Sequence, residues 1–454
     1  MKRHDNDRNE LDNMGRGVNE SLSKRAGADV GWVVRFLAPP IRRVGVLRDT
    51  AWNALVNGAL AGLTFMVLAL ASRWAGAYWC GVVALGLAMA QQLFTLGDFT
   101  MEGYQASDVG ETRPFSAYVV AKTLTVGLML VAGVAWLWLS GGSRDKALAF
   151  ASLLLFYASD AFGLAFFARY WQKGRLDTAC RVRFAKLAAF AGMYAVVLWR
   201  TGRPVWALWS GALVHAGLFF MLDVPLLRVF GPVVWQWPGR AACGVLVACA
   251  PLAANSFLAM YVNNGPRFAV DATMGETTLA SYGALFMASF AVAVCGDFLM
   301  NPQVTRLAEA VRAGDTRRGW IIVERQACVV GSLGAVGLGV AATVGIPVLS
   351  WLFGLDLAGL RGVLLVLLSG GVLLAFYQLA QMVLVVLRRQ AWGMPGMLLA
   401  ATGIFFVARP AVSRWELLGA AWCYFGAVAL LAVCSGTAAI LFLRGALPAG
   451  EERT

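Results

Sequence analysis

A small set of polar side chains interrupts the apolar runs of this chain where their chemistry would matter. Asp160 follows Ser159 in the middle of one run, a place where a carboxylate is costly unless it meets a cation or a water-filled space. Lys122 and Lys186, near the starts of two other runs, are the cations the sequence offers it. A structural ion pair and a role in coupling ion movement both fit Asp160. His215, also mid-run, titrates near neutrality in water, which suits proton coupling as well as hydrogen-bonded packing. Asn53 and Asn57 are four residues apart and share a helix face, and Asn255 occupies the corresponding run of the second half. Gln378 and Gln381, three apart beside Tyr377, share another face. These amides suit sugar hydroxyls or interhelical hydrogen bonds. Arg267, just after Asn263-Asn264-Gly265-Pro266, suits a phosphate or carboxylate, or a headgroup at the membrane surface.

None of this is catalytic apparatus. Bond-making chemistry calls for paired carboxylates, a metal cluster or an activated nucleophile on a substantial loop. The longest predicted external loop, about 263–277, offers only Arg267, Asp271 and Glu276. The eight cysteines are scattered singly with no zinc or disulfide spacing, and no glycine-rich phosphate cradle is present. The expectation is a non-enzyme with no cofactor and no metal.

The elements that must position these residues are membrane helices. With 59% hydrophobic and 14% charged residues over 454 positions, and a mean hydropathy of +0.67, the chain is too apolar for an ordinary soluble domain. Apolar runs long enough to cross a hydrocarbon core of about 30 Å recur between short polar joints. In the first half they cover roughly 50–72, 77–97, 116–139, 147–168, 183–199 and 205–223. In the second half they cover roughly 242–262, 278–300, 327–352, 361–387, 391–408 and 416–442. The runs are about twice the length of a barrel strand and lack two-residue alternation, so the fold class is an all-α polytopic membrane protein of about twelve helices.

A net charge of +13 raises the question of nucleic acid, but the basic residues lie in membrane-flanking loops and not on a soluble stripe. Counting loops alternately from the N-terminus, one set with both tails holds 27 of the 38 Lys and Arg, the other set nine, and Lys122 and Lys186 lie in helix ends. The positive-inside rule therefore predicts both termini in the cytoplasm of a multi-pass cell-membrane protein that binds no nucleic acid. Residues 98–115 run against the trend, with Arg113 facing Asp98, Glu102, Asp108 and Glu111. The first 29 residues are polar and read as disordered, with no cleavable signal, and residues 30–47 offer an interfacial segment interrupted by Pro39 and Pro40.

Sliding the chain against itself by 199 residues aligns Gly97-Asp98-Phe99-Thr100-Met101 with Gly296-Asp297-Phe298-Leu299-Met300, each at the predicted end of the second helix of its half. An offset of six helices keeps both copies in one orientation, which implies two six-helix bundles related by a pseudo-two-fold axis along the membrane normal. The predicted organisation is a cytoplasmic N-terminal tail (1–47), an N-lobe (48–223), a cytoplasmic linker (224–241), a C-lobe (242–443) and a cytoplasmic C-terminal tail (444–454).

Several stretches carry a family resemblance. Tyr104-Gln105-Ala106-Ser107-Asp108-Val109, Gln172-Lys173-Gly174-Arg175-Leu176-Asp177, and Asn263-Asn264-Gly265-Pro266-Arg267 followed by Tyr282-Gly283-Ala284-Leu285 resemble Gram-positive polysaccharide-biosynthesis (Wzx-like) flippases. These belong to the multidrug/oligosaccharidyl-lipid/polysaccharide (MOP) exporter superfamily. The usual Asn-Ile-Pro-Arg of the family stands here as Asn264-Gly265-Pro266-Arg267, so the isoleucine is lost. The resemblance covers about residues 48–443. It implies a V-shaped pair of six-helix lobes that moves a polyprenyl-diphosphate-linked oligosaccharide to the outer leaflet by alternating access, among membrane lipids and alongside a polysaccharide polymerase and glycosyltransferases. Arg267, with Lys122 or Lys186, is then expected to meet the diphosphate at different stages. The alternative is a cation-coupled multidrug exporter of the same superfamily with Asp160 in place of the usual first-helix acid. A membrane-embedded polymerase or glycosyltransferase is disfavoured by the short external loops.

Overall fold

The computed structural model describes residues 46–108, 110–140, 142–229, 238–313 and 315–445. The N-terminal tail to residue 45, residues 230–237 of the expected linker and residues 446–454 lie outside them. Among the described residues the structure is helical throughout, without strands.

In chain order the helices are α1 (Val46–Ala75), α2 (Ala77–Asp98), α3 (Met101–Ser107), α4 (Phe115–Ser140), α5 (Arg144–Gln172), α6 (Leu176–Thr201) and α7 (Pro204–Leu218). A π-turn (Phe219–Asp223) joins α7 to α8 (Val224–Val229). Then come α9 (Gly239–Met274), α10 (Glu276–Arg312) and α11 (Thr316–Val340). A second π-turn (Ala341–Gly345) leads to α12 (Ile346–Phe353), followed by α13 (Arg361–Val386) and α14 (Met394–Gly445). Polar side chains start some of them: Ser143 accepts from the amide of Lys146 at α5, and Asp315 accepts from that of Arg318 at α11. Gly202 and Gly354 stop α6 and α12 at φ 62° and 64°, the left-handed conformation that a side chain resists.

Among the described residues eleven helical stretches are long and apolar enough to cross a membrane, and the last of them holds two crossings. As a straight rod the 52 residues of α14 would run about 78 Å, more than twice a hydrocarbon core of about 30 Å. The helix instead breaks at Glu416 (φ 51°, ψ −136°), and the chain reverses so tightly that a Cβ on Gly419 would lie 2.2 Å from the carbonyl oxygen of Ala411. The expected twelve crossings are therefore present, with 394–415 and 417–445 as the final pair.

Two expectations are corrected. Residues 263–277 are not an external loop: α9 continues to Met274 and α10 begins two residues later at Glu276, so Asn264-Gly265-Pro266-Arg267 sits inside a helix. The second copy of the repeat does not end a helix either, because α10 runs on through polar helix-forming residues to Arg312. In both places hydropathy marked where the apolar stretch stops, whereas helix hydrogen bonding continues past it.

The chain forms two compact units. The first contains residues to 67 and 89–257, the second 68–88 and 258 onward, so α1, α2 and α9 each contribute to both. In the first, Met101, Tyr118, Ala121, Ala242, Val245 and Cys249 form a buried cluster. Phe156, Phe190 and Tyr194 stack deeper, with the Tyr194 hydroxyl donating to the carbonyl of Val67. In the second, Met300, Leu307, Val330, Leu379, Val383 and Leu384 form the main cluster. There the Asn264 amide donates to the carbonyl of Ala88.

Candidate functional site

The polar residues of the first unit assemble into a buried ionic cluster. Apolar flanks carry Asp160 (α5) into the interior at 2% exposure. Its partner is neither of the lysines expected from sequence but Arg183 on α6, whose Nη2 stands 2.8 Å from Oδ2 while Nε reaches Oδ1 at 3.4 Å. His215 on α7 is fully buried, with Nδ1 2.7 Å from Ser159 Oγ and Nε2 3.9 Å from Asp160 Oδ1. One helical turn beyond Arg183, Lys186 binds Asp223 at 2.7 Å and rests beside the Phe219 ring. Gly163 makes room for that ammonium, since a Cβ there would lie 2.9 Å from Nζ. Asp160, Arg183, Lys186 and Asp223 line a small common cavity of about 10 Å³ with Gly163, Leu164 and Phe167.

Asp223 reaches this place through the π-turn. Pro225 has no N–H to return to the preceding turn, and the widened backbone at Phe219–Asp223 is covered by the Tyr170 hydroxyl, which donates to the Asp223 carbonyl at 3.0 Å. Lys122 on α4 has a different task. Its ammonium donates to the carbonyls of Asp98 (2.6 Å) and Gly97 (3.5 Å) and pairs with the Asp98 carboxylate at 3.3 Å, holding the break between α2 and α3. Glu102 on α3 lies within electrostatic reach of Arg183 and Lys122.

Sequence reasoning missed Arg183, Asp223 and Glu102. Arg183 stands at the first position of the predicted crossing 183–199, and its three-residue spacing from Lys186, which places both on one helix face, is the signal that points to it. Asp223 closed a predicted crossing and was read as its boundary.

Two of the family-like stretches meet at one end of this unit. Gln105 donates to the carbonyl of Ala165, and Gln172 to that of Asp108. Asp108 in turn accepts from the amide and hydroxyl of Thr112, the amide of Arg113 and the hydroxyl of Tyr118. Burial pushes its carboxyl up, but the Thr112, Tyr118 and Arg113 bonds together outweigh that and hold it below the usual carboxylate range. Glu111 behaves likewise: burial raises it, and ion pairs with Lys173 and Arg169 bring it below its ordinary value.

In the second unit Arg267 is 4% exposed. Its guanidinium lies 4.2 Å from the centre of the Phe286 ring, and Nη1 donates to Asn264 at 3.4 Å. Among the described residues no carboxylate pairs with it, and neither its Nε nor the buried hydroxyl of neighbouring Tyr282 has a hydrogen-bond partner. Gln381 donates to Ser435 at 3.3 Å, tying α13 to the end of α14, while the Gln378 carbonyl is buried without a partner. Of the asparagines, Asn57 donates to Asn53 on an exposed face of α1, and Asn255 is half-buried on α9. They do not join the ionic cluster. No group of three or more potential metal ligands occurs among the described residues.

No protein-family model matches this chain, and no curated protein matches it. Solved structures do. A multidrug resistance MATE family transporter of the MOP superfamily, in its inward-facing conformation, matches with a TM-score of 0.61 at 12% identity over 87% of this chain and 95% of the other. The lipid II flippase MurJ, inward closed, matches at 0.65 and 10% identity over 86% and 89%. A MOP superfamily transporter from Pyrococcus furiosus, described by the reverse polarity of its binding pocket, matches at 0.55 and 12% over 88% and 95%. At such identities the likeness establishes the fold: an all-helical, multi-pass membrane fold like that of these solved MOP superfamily structures.

Proposed function

We propose that this protein flips a polyprenyl-diphosphate-linked oligosaccharide from the cytoplasmic to the outer leaflet of the cell membrane by alternating access, with both termini in the cytoplasm, for surface polysaccharide assembly. The observation that carries this reading is Arg267. A buried arginine with no carboxylate among the described residues is costly in a membrane, and an anionic group from the cargo would match it. Solved structures with this fold include both multidrug transporters and a lipid II flippase, so the fold leaves the cargo open and the unpaired charge of Arg267 is what favours an anionic one.

The same ledger of charges disfavours the cation-coupled exporter. Such a transporter needs an acid free to take a cation; Asp98, Asp160 and Asp223 each hold a basic partner, and Glu102, which forms no ion pair among the described residues, has the cations Arg183 and Lys122 within electrostatic reach. Lys122 and Lys186 are engaged by Asp98 and Asp223, so in this state they are not free for a diphosphate, and the Asn and Gln amides are left for the sugar.

The test is to delete the gene from its host and locate the lipid-linked oligosaccharide. Accumulation on the cytoplasmic leaflet is expected, reversed by the wild-type gene and not by Arg267→Ala. Normal surface polysaccharide in a deletion strain lacking any other flippase overturns the proposal, as does drug sensitivity without a polysaccharide defect.

A further inference from the structure

The two arms of α14 enclose a groove apart from the ionic cluster; its floor residue Ile404 packs over Gly265, in the segment that carries Arg267. It measures about 340 Å³, within the range of small-molecule sites, and its walls are apolar. Ile404 and Ala400 (each 2% exposed) and Ala427 (8%) form the floor, while Leu399, Trp415 and Trp422 stand half or more exposed at the rim. The groove is hollow because two positions carry no side chain: a Cβ on Gly403 or on Gly426 would meet nothing within 4 Å. Gly419, by contrast, closes it at the turn by bringing the arms together.

Both arms lie in a stretch apolar enough to cross a membrane, so what reaches the rim is hydrocarbon. The wall from Leu399 to Trp415 extends about 24 Å along the helix, enough for the chains of one leaflet, which fill roughly half of a core of about 30 Å. At the closed end, Arg414 stacks on Trp415 with its guanidinium 5.6 Å from the ring centre, and both are exposed. Arg409, also exposed, lies on the same arm seven residues before the break at Glu416. By the alternating loop count this turn belongs to the set that holds only nine of the 38 basic residues, so topology does not account for two arginines here. An apolar slot ending in a stacked arginine at headgroup depth matches an anionic lipid by shape and by charge.

We propose that this groove binds one anionic glycerophospholipid of the surrounding membrane, its acyl chain along Gly403 and Gly426 and its phosphate at Arg414. The assignment is independent of the cargo.

Native mass spectrometry of the purified full-length protein, titrated with palmitoyl-oleoyl phosphatidylglycerol or with the phosphatidylcholine of the same chains, tests it. Wild type should retain one phosphatidylglycerol in preference to phosphatidylcholine. Gly403→Leu and Gly426→Leu fill the groove and should abolish that retention. Gly339→Leu, another position where a Cβ meets nothing within 4 Å, is the matched control on α11 and should retain it. Arg414→Gln should cut the phosphatidylglycerol preference about fivefold, the effect of one basic residue on an anionic headgroup, and leave phosphatidylcholine binding as it was. Gel filtration and thermal unfolding confirm that each variant is folded. Equal retention of the two lipids by wild type, or unchanged retention in folded Gly426→Leu, overturns the proposal. So does displacement of the bound lipid by equimolar polyprenyl phosphate, which would make the groove a cargo-tail site.

Discussion

Arg183 grips both carboxylate oxygens of Asp160, at 2.8 and 3.4 Å, while His215 stands 3.9 Å behind the same carboxylate. A buried pair of this kind is sensitive to the loss of one member far more than to the loss of both. Arg183→Ala should destabilise the purified protein by about 3–5 kcal/mol, because it leaves a buried carboxylate uncompensated. The double variant Arg183→Ala with Asp160→Asn should recover most of that loss. Thermal unfolding of wild type, Arg183→Ala, Asp160→Asn and the double variant in one detergent measures it, and additive losses would show that the pair is not coupled.

Arg267 should behave in the opposite way. No acid among the described residues is orphaned by its removal, so Arg267→Ala should melt at the wild-type temperature or above it. Flipping of lipid-linked oligosaccharide in reconstituted vesicles should nevertheless fall at least about tenfold, equivalent to roughly 1.4 kcal/mol. Arg267→Lys should keep part of the activity, since it retains the charge and loses the planar fork.

The turn around Asp108 should be sensitive to acid. Because the folded-state pKa is depressed, the carboxylate contributes stability above the ordinary carboxylate range and loses it as pH falls through the folded value, below 3.8. Amide hydrogen exchange at Thr112 and Arg113, corrected for intrinsic rates, should show protection at pH 5 to 7 that disappears below that range. Asp108→Asn should abolish the difference.

At the hairpin of α14, Gly419→Ala should cost about 1–3 kcal/mol or more, because the new methyl meets the backbone of Ala411 and not a movable side chain. Gly403→Ala should be nearly neutral. Equal melting temperatures for the two variants would contradict the reversal at Glu416.

Much of this architecture was legible in the sequence because bilayer physics leaves few choices. Twelve apolar runs correspond to twelve crossings, and Asp160 stood out since a carboxylate inside a membrane demands a reason. What hydropathy could not report was where helices continue into polar sequence. That hid the helical setting of Arg267 and left Arg183 at the edge of a predicted crossing that in fact begins at Leu176. Pairing was beyond it too: Lys122 and Lys186 were the cations the sequence offered Asp160, and only the rotation of α6 and the π-turn at Asp223 give Asp160 to Arg183 and Lys186 to Asp223.

The repeated pentapeptide supplies an internal control. Gly296 to Met300 lies in the unbroken helix α10, so Gly-Asp-Phe-x-Met has no inherent aversion to helix. Its first copy is nevertheless bent, with Phe99 and Thr100 both at φ 53°, a left-handed conformation that costs of order 1–3 kcal/mol per non-glycine residue. The Lys122 ammonium sits on the two carbonyls that the bend sets free. The corner between α2 and α3 is thus clasped from a single neighbouring helix, by the Lys122 ammonium on both carbonyls and by the Thr125 hydroxyl on that of Gly97 at 3.0 Å.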